Sequence, residues 1–376
     1  MLSDWTEEDE RAERRRQYRL KPEEDEIARR VAKRRAEVCA WAEEPPEKRA
    51  EIIREAYEVA QHLPAPPGGG DTANPRWLKL RAGRITGTRH AAVHKMGYES
   101  ADSMLRGYGE PLCARALQFC RWGTESEPRA DAMMAEVQRA GGLGEAWTQA
   151  RFDHPGLFLD DQRPYMSGSP DGLLVREDGR KAVVEYKCPG HPNYKGMGVA
   201  TLRERGHIYP MKKHRAFGER PIPPQYWVQC QHNSGLIANC TDIFFCVWVP
   251  ATSPTLEKVA SGPFGDVWSG PGGSLHVQHL RFDPHWFARA AETCREFWES
   301  RMLRHVVLKD CGFLRGREIE EDVAEDLVRP LGVCAERGWG AMDPCSEEVG
   351  QCAECGGGVC AAHEKHGGLC VLCATC

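Results

Sequence analysis

Apolar residues change their spacing several times along the chain, and each change marks a part of it. Within "PPEKRAEIIREAYEVAQHL", Ile52, Ile53, Ala56, Val59, Ala60 and Leu63 recur at helical intervals, which predicts an amphipathic helix packed on the main body. Residues 1 to about 62 are dense in Arg, Lys, Glu and Ala and share that helical expectation. "LPAPPGGGDTANP", residues 63–75, has no period and is rich in Pro and Gly, so it reads as a linker. Beyond Trp77 the pattern alternates between the two periods. A helix is expected from Leu112 to Ala140, interrupted near Gly123 and Pro128, followed by strands at Gly156 to Leu159, Leu173 to Arg176 and Ala182 to Lys187. A helix from Gln225 to Ala238, an aromatic-rich strand in "TDIFFCVWVP" and an alternating strand in "LHVQHLRF" come next. Pro284 then opens a helix reaching about Leu303. Residues 251–274, rich in Gly, Ser and Pro, are expected to be a loop, and no internal repeat stands out. Strands with helices before and behind them make this block α/β.

Composition narrows the class. With 376 residues, 41% of them hydrophobic, the chain can bury a sizeable core and still carry flanking modules. No run of 18 or more apolar residues suggests a membrane span, and "MLSDWTEEDERAERRR" has neither an apolar core nor a lack of acids, so no leader is expected. The expectation is a soluble intracellular protein, nuclear or cytoplasmic. A net charge of −5 does not announce a nucleic-acid binder, but an acidic metal site inside a basic cleft would give a similar total. The basic runs "RRRQYR" and "RRVAKRR" are interleaved with acids and read as solvated helix faces rather than a DNA arm.

The stretch "GSPDGLLVREDGRKAVVEYKCP" carries the chemistry. Asp178-Gly179 is a tight-turn signal, so Leu173 to Lys187 is expected to form a hairpin with Asp171 at its entry. Residues two apart on a strand share a face, so Glu185 and Lys187 point one way while Val184, Tyr186 and Cys188 point the other. A lone buried carboxylate would take up a proton. Two converging carboxylates could instead hold a hard divalent cation such as Mg2+, which would relieve their repulsion and activate water. A nearby lysine could orient that water or balance charge on a phosphate, as phosphodiester hydrolysis requires. The same residue types are equally met by a surface hairpin with a Glu/Lys pair.

Four motifs in order tip that balance. "WLKLRAGRITGT" (Trp77 to Thr88), "WGTESEPRA" (Trp122 to Ala130), "SPDG" with "EYKCP", and "YWVQCQ" (Tyr226 to Gln231) together resemble the PD-(D/E)xK nuclease superfamily. Within it they are most similar to lambda exonuclease and the YqaJ-type viral recombinases, with herpesvirus alkaline nucleases as more distant relatives. The resemblance covers roughly residues 75–305 and implies a restriction-endonuclease-like core, a mixed central sheet flanked by helices. It implies Asp171, Glu185, Glu127 and the Tyr186 carbonyl as ligands of Mg2+ or Mn2+. It also implies Lys187 as the catalytic lysine and Gln229 as the glutamine that positions lysine or water. Arg81, Thr88 and Ser169 would receive a terminal 5′-phosphate. Arginine and hydroxyls suit such an anion pocket.

Two regions depart from the compact phage pattern. The segment before "YWVQCQ" is long and carries Lys195, Arg203, Arg205, Lys212, Lys213, His214 and Arg215, which could track a DNA backbone or form an ordinary soluble loop. The tail "CAECGGGVCAAHEKHGGLCVLCATC" holds Cys352-x2-Cys355, Cys360-x2-His363 and Cys370-x2-Cys373, with Cys334, Cys345, His366 and Cys376 nearby. Pairs at that spacing suit tetrahedral Zn2+, which would supply the folding energy that so small a segment lacks. An iron–sulfur cluster is the rival, and the histidines favour zinc.

The expected organisation is a charged helical extension and linker at 1–75, a YqaJ-like exonuclease domain at 76–305, and a linker with a zinc module at 306–376. The resemblance implies a metal-dependent deoxyribonuclease that resects linear double-stranded DNA from 5′ to 3′ for recombination or repair. Its partners would be DNA ends and a single-strand annealing protein, and its assembly a homo-oligomer, a trimer as in the phage enzyme. A structure-selective endonuclease on the same core, and a catalytically weak DNA-binding adaptor acting through the zinc module, are the alternatives.

Overall fold

The computed structural model describes residues 25–62, 75–106, 114–310, 349–351 and 358–360. A seven-stranded sheet runs through its centre. Its strands are β1 (Arg151–Asp153), β2 (Gly172–Val175), β3 (Lys181–Lys187), β4 (Cys240–Val249), β5 (Glu257–Gly262), β6 (Gly265–Gly270) and β7 (Gly273–Arg281). They lie in the order β1-β2-β3-β4-β7-β6-β5, with β3 and β4 parallel and every other pair antiparallel. The parallel pair needs a crossover, and residues 188–239 supply it. The sheet is therefore mixed, as expected, with its most apolar strands in the middle.

Helices cover both faces. On one side the long helix α2 (Ala114–Arg139) sets Ala130, Met133, Met134 and Val137 against Ala182, Val184 and Tyr186 of β3 and Phe244, Cys246 and Trp248 of β4. On the other, α3 (Pro224–Gly235) places Trp227, Val228 and Cys230 against Ile243, Phe245 and Val247 of β4. Two more helices, α1 (Gly87–Val93) and α4 (Pro284–Phe297), pack beside α3 and share a third cluster with Ile85, Met166 and Trp298. Residues 25–62 lean on this body: Val38 joins the third cluster, Ile52 and Ile53 pack with Trp41, Leu157 and Leu159, and Arg49 pairs with Asp161 at 2.6 Å. Among the described residues, no helix is long and apolar enough to cross a membrane.

Four expectations are corrected. Residues 251–274 are not a loop: β5 and β6 form a hairpin there and extend the sheet, because Val259, Val267 and Trp268 bury inward while exposed Ser261, Gly262 and Pro263 lie at its turn. The break expected near Gly123 and Pro128 is absent, and α2 runs through both. Pro128 and Thr124, whose carbonyl the proline cannot satisfy, are both exposed, which leaves that carbonyl open to solvent. The strand expected from Gly156 to Leu159 shrinks to Phe158–Leu159 and pairs with Ser167–Gly168 outside the main sheet. The helix opened by Pro284 extends further than expected, through a π-helical turn at Trp298–Met302 into Leu303–Asp310. The basic crossover segment is folded, with short helices Pro192–Lys195 and Val199–Arg205 and a hairpin of Lys212–His214 with Gly218–Arg220.

Candidate active site

The hairpin forms as the turn signal predicts. Gly172 to Val175 pairs antiparallel with Lys181 to Val184, and Gly179 takes the left-handed conformation at φ +79° that a glycine tolerates. Alternation then puts Val184 and Tyr186 under α2 and Glu185 and Lys187 under α3.

Glu185 is fully buried, at 0% exposure. Both its oxygens are satisfied: Lys187 Nζ donates to Oε1 at 2.5 Å and Asn233 Nδ2 of α3 donates to Oε2 at 3.0 Å. The Lys187 side chain remains 20% exposed and lies 5.1 Å from the Tyr226 ring centroid, also on α3. Burial pushes the Glu185 carboxyl above its usual range against the pull of Lys187; the charge of Glu127 adds to the rise. Burial also works against the Lys187 ammonium, but Glu185 and Asp171 outweigh it and hold that group above its ordinary value. The proton of the pair thus stays on the lysine. Asp171, on the turn entering β2, accepts the Tyr186 backbone N–H at 2.6 Å, which ties the "SPDG" turn directly to the "EYK" strand.

Helix α3 is the common support. A Cβ on Gly87 would meet Cγ of Gln229 at 2.8 Å and its Cα at 3.3 Å, so α1 approaches α3 where only glycine fits. A Cβ on Gly168 would meet Asn233 Oδ1 at 2.6 Å, so the segment leading through Ser169 to Asp171 is pressed onto the same helix. These two close approaches fix how α1 and the segment entering the Asp171 turn sit on α3.

The other expected residues fall around this centre. Glu127 is exposed on α2, and its field reaches both Glu185 and Cys188. Asp171, Glu185 and Glu127 do not bring their oxygens within 4.8 Å of one another as a group. Thr88 is exposed in the first turn of α1, Ser169 is half-buried just before Pro170, and Arg81 ends the helix Pro75–Arg81, where its charge is felt by His232 of α3. Of the zinc candidates, Cys360 ends the strand Gly358–Cys360, whose partner is Val349–Gln351. Cys352, Cys355, His363, Cys370 and Cys373 lie outside the described residues.

Sequence reasoning missed Asn233. Its signal was present, because Tyr226, Gln229 and Asn233 recur at helical intervals and so share one face of α3.

Fold and site together define a mixed α/β protein whose central hairpin carries a buried carboxylate–ammonium pair beside a second carboxylate. Residues 76–238 match the YqaJ-like viral recombinase domain. Among solved structures the chain resembles an alkaline exonuclease from Laribacter hongkongensis at 15% identity and TM-score 0.38, over 63% of this chain and 98% of that one. It also resembles a phage-related exonuclease from Haemophilus somnus at 8% identity and TM-score 0.35, over 60% and 96%. The shutoff and exonuclease protein of Kaposi's sarcoma-associated herpesvirus matches at 11% identity and TM-score 0.35, over 63% and 70%. No curated protein matches the chain.

Proposed function

We propose that this protein is a divalent-metal-dependent deoxyribonuclease that degrades linear double-stranded DNA from 5′ ends, exposing a 3′ strand for recombination or repair. The observation that carries the reading is the buried Glu185, held by Lys187 and Asn233 next to the anchored Asp171, within the matched domain. A fully buried carboxylate is costly, and apolar residues of similar volume would fold the strand at least as well. Its retention beside an ammonium and a second acid points to chemistry.

The donor set fits a hard cation. Asp171 and Glu185 offer carboxylate oxygens, Tyr186 a carbonyl and Glu127 a third carboxylate, the oxygen-only set that Mg2+ or Mn2+ prefers. When bound, the ion supplies water activation and neutralises charge on the phosphate. The chain's own residues do the rest. Lys187, kept protonated, offers its N–H groups to the attacking water or to a phosphate oxygen. Asn233 and Lys187 fix the Glu185 carboxylate. Gln229, on the same helix, would orient the lysine or the water. Arg81, Thr88 and Ser169 would receive the 5′-phosphate.

The reading extends to organisation: a helical extension at 1–75, a nuclease domain at 76–305, and a 306–376 segment holding Zn2+ through Cys352, Cys355, Cys360, His363, Cys370 and Cys373. DNA ends are the substrate, a single-strand annealing protein the natural partner, a ring-shaped trimer the assembly, and the nucleus or cytoplasm the place of action. Lys195, Arg203, Arg205, Lys213 and Arg215 of the crossover segment are exposed, and in this reading they would track the phosphate backbone. The test incubates purified protein with linear duplex bearing 5′-phosphate or 5′-hydroxyl ends and with circular duplex, each with Mg2+ or chelator. Mononucleotides from phosphorylated linear ends only, abolished by chelation, are expected. Nicked circles would reassign it as an endonuclease, and binding without products as an adaptor.

A further inference from the structure

Helices α1 and α4 enclose a set of side chains that the nuclease reading leaves unused. His90 and His94 stand one helical turn apart on α1 and its C-cap, and Cys294 faces them from α4. One ligand atom from each of the three lies within 4.8 Å of the others. His90 and Cys294 are both 0% exposed, and His94 is half-buried.

The hydrogen bonds around the rings decide which nitrogens carry protons. His232 Nε2 lies 2.8 Å from the Ser167 carbonyl, which can only accept, so His232 is protonated there and its Nδ1 holds a lone pair. His90 Nδ1 lies 2.9 Å from that atom and must be the donor. His90 Nε2 is therefore left with a bare lone pair, and it has no hydrogen-bond partner although it is fully buried. His94 Nε2 lies 3.1 Å from the Ala290 carbonyl and donates to it, so His94 Nδ1 also holds a lone pair. Each imidazole thus has one nitrogen anchored as a donor and the other free to ligate, as in metal-bound histidines, whose far N–H is held by a hydrogen-bond acceptor. Burial holds both rings neutral and keeps the Cys294 proton on sulfur. Trp286 stacks on His90 with centroids 5.5 Å apart, closing the site with an apolar wall.

We infer that His90 Nε2, His94 Nδ1 and Cys294 Sγ form a binding site for a single Zn2+ ion, separate from the nuclease centre and from the cysteine-rich tail. Two imidazoles and a thiolate match zinc's borderline-soft preference and exclude Mg2+ and Ca2+, which demand oxygen. Tetrahedral zinc with its usual bond lengths sets ligand atoms about 3.3–3.6 Å apart, so side-chain shifts of about 1 Å close the site. The thiol gives up its proton to solvent on binding, and water fills the fourth position. The ion would clamp α1 to α4. Through His90 and His232 it would also fix the Ser167 segment that leads to Asp171.

The test uses the full-length chain, whose tail holds zinc of its own under the proposed function, so the readout is a difference. Zinc per chain is measured by mass spectrometry for the unaltered protein and for His94→Ala and Cys294→Ala, with circular dichroism confirming their fold. Each variant is expected to lose one zinc equivalent. Equal zinc content in folded variants and unaltered protein would overturn the site. Should either variant fail to fold, an anomalous-difference map of unaltered crystals at the zinc edge decides. A peak between His90 Nε2 and Cys294 Sγ supports the site, and none there refutes it. Both readouts are independent of nuclease activity.

Discussion

The two faces of β3 are built to opposite specifications. Under α2, Ala182, Val184 and Tyr186 meet methionines and valines, and the strand reads as an ordinary core element. Under α3, the same strand presents Glu185 and Lys187 to Tyr226 and Asn233. The first face stabilises by excluding water. The second gives up apolar burial and must offset a buried charge with an ion pair and an amide hydrogen bond. A strand that spends one face this way separates the roles: α2 holds the fold and α3 holds the site.

The largest effect that breaks this contrast is on catalysis. Glu185→Gln keeps the shape and the Asn233 contact but removes the charge, so folding should persist while DNA cleavage falls by at least about 100-fold, read by product release. An active Glu185→Gln protein would make the charged face merely structural. The converse change lies under the other face: Met134→Ala, at a side chain 1% exposed, should cost about 3 kcal/mol in denaturant unfolding and leave activity per folded molecule intact.

A third measurement uses pH. His276 of β7 lies across Val247 from Lys187, on the charged face, and burial outweighs the pull of Asp266 to hold it neutral with its pKa lowered from 6.5 to about 4. The unfolded chain then binds more protons than the folded one between those values. Stability is fully present above pH 6.5 and falls as pH drops towards 4, by on the order of 3 kcal/mol from this group. His276→Gln should reduce the slope of the unfolding free energy across that window, leaving the part that buried His232 contributes; an unchanged slope would show that His276 carries none of it. The smallest effect is on substrate choice. Arg81→Ala should erase a preference of about tenfold for 5′-phosphate over 5′-hydroxyl ends, one charge-assisted hydrogen bond's worth, with slow cutting of both retained.

Local chemistry explains what could be read from the chain beforehand. The hairpin was legible because Asp178-Gly179 dictates a turn and alternation assigns Glu185 and Lys187 to one side. The apolar runs of β4 and β7 were legible for the same reason. Residues 257–270 were not, because Gly, Ser and Asp interrupt the pattern there and Val259, Val267 and Trp268 are too few to show a period. Pro128 misled because the packing of Ala130, Met133, Met134 and Val137 on the sheet holds α2 together through an exposed proline that local propensity alone would read as a break. The polar face of α3 and the pairing of His90 with His94 were written at helical spacing. Their meaning came only when β3 and α4 arrived opposite them, from far along the chain.

The most direct test of the central claim is cleavage of 5′-phosphorylated linear duplex in Mg2+ by the Lys187→Ala protein, with DNA binding measured on the same sample. Loss of cutting with binding kept is the predicted result. Cutting at the rate of the unaltered protein would contradict the account.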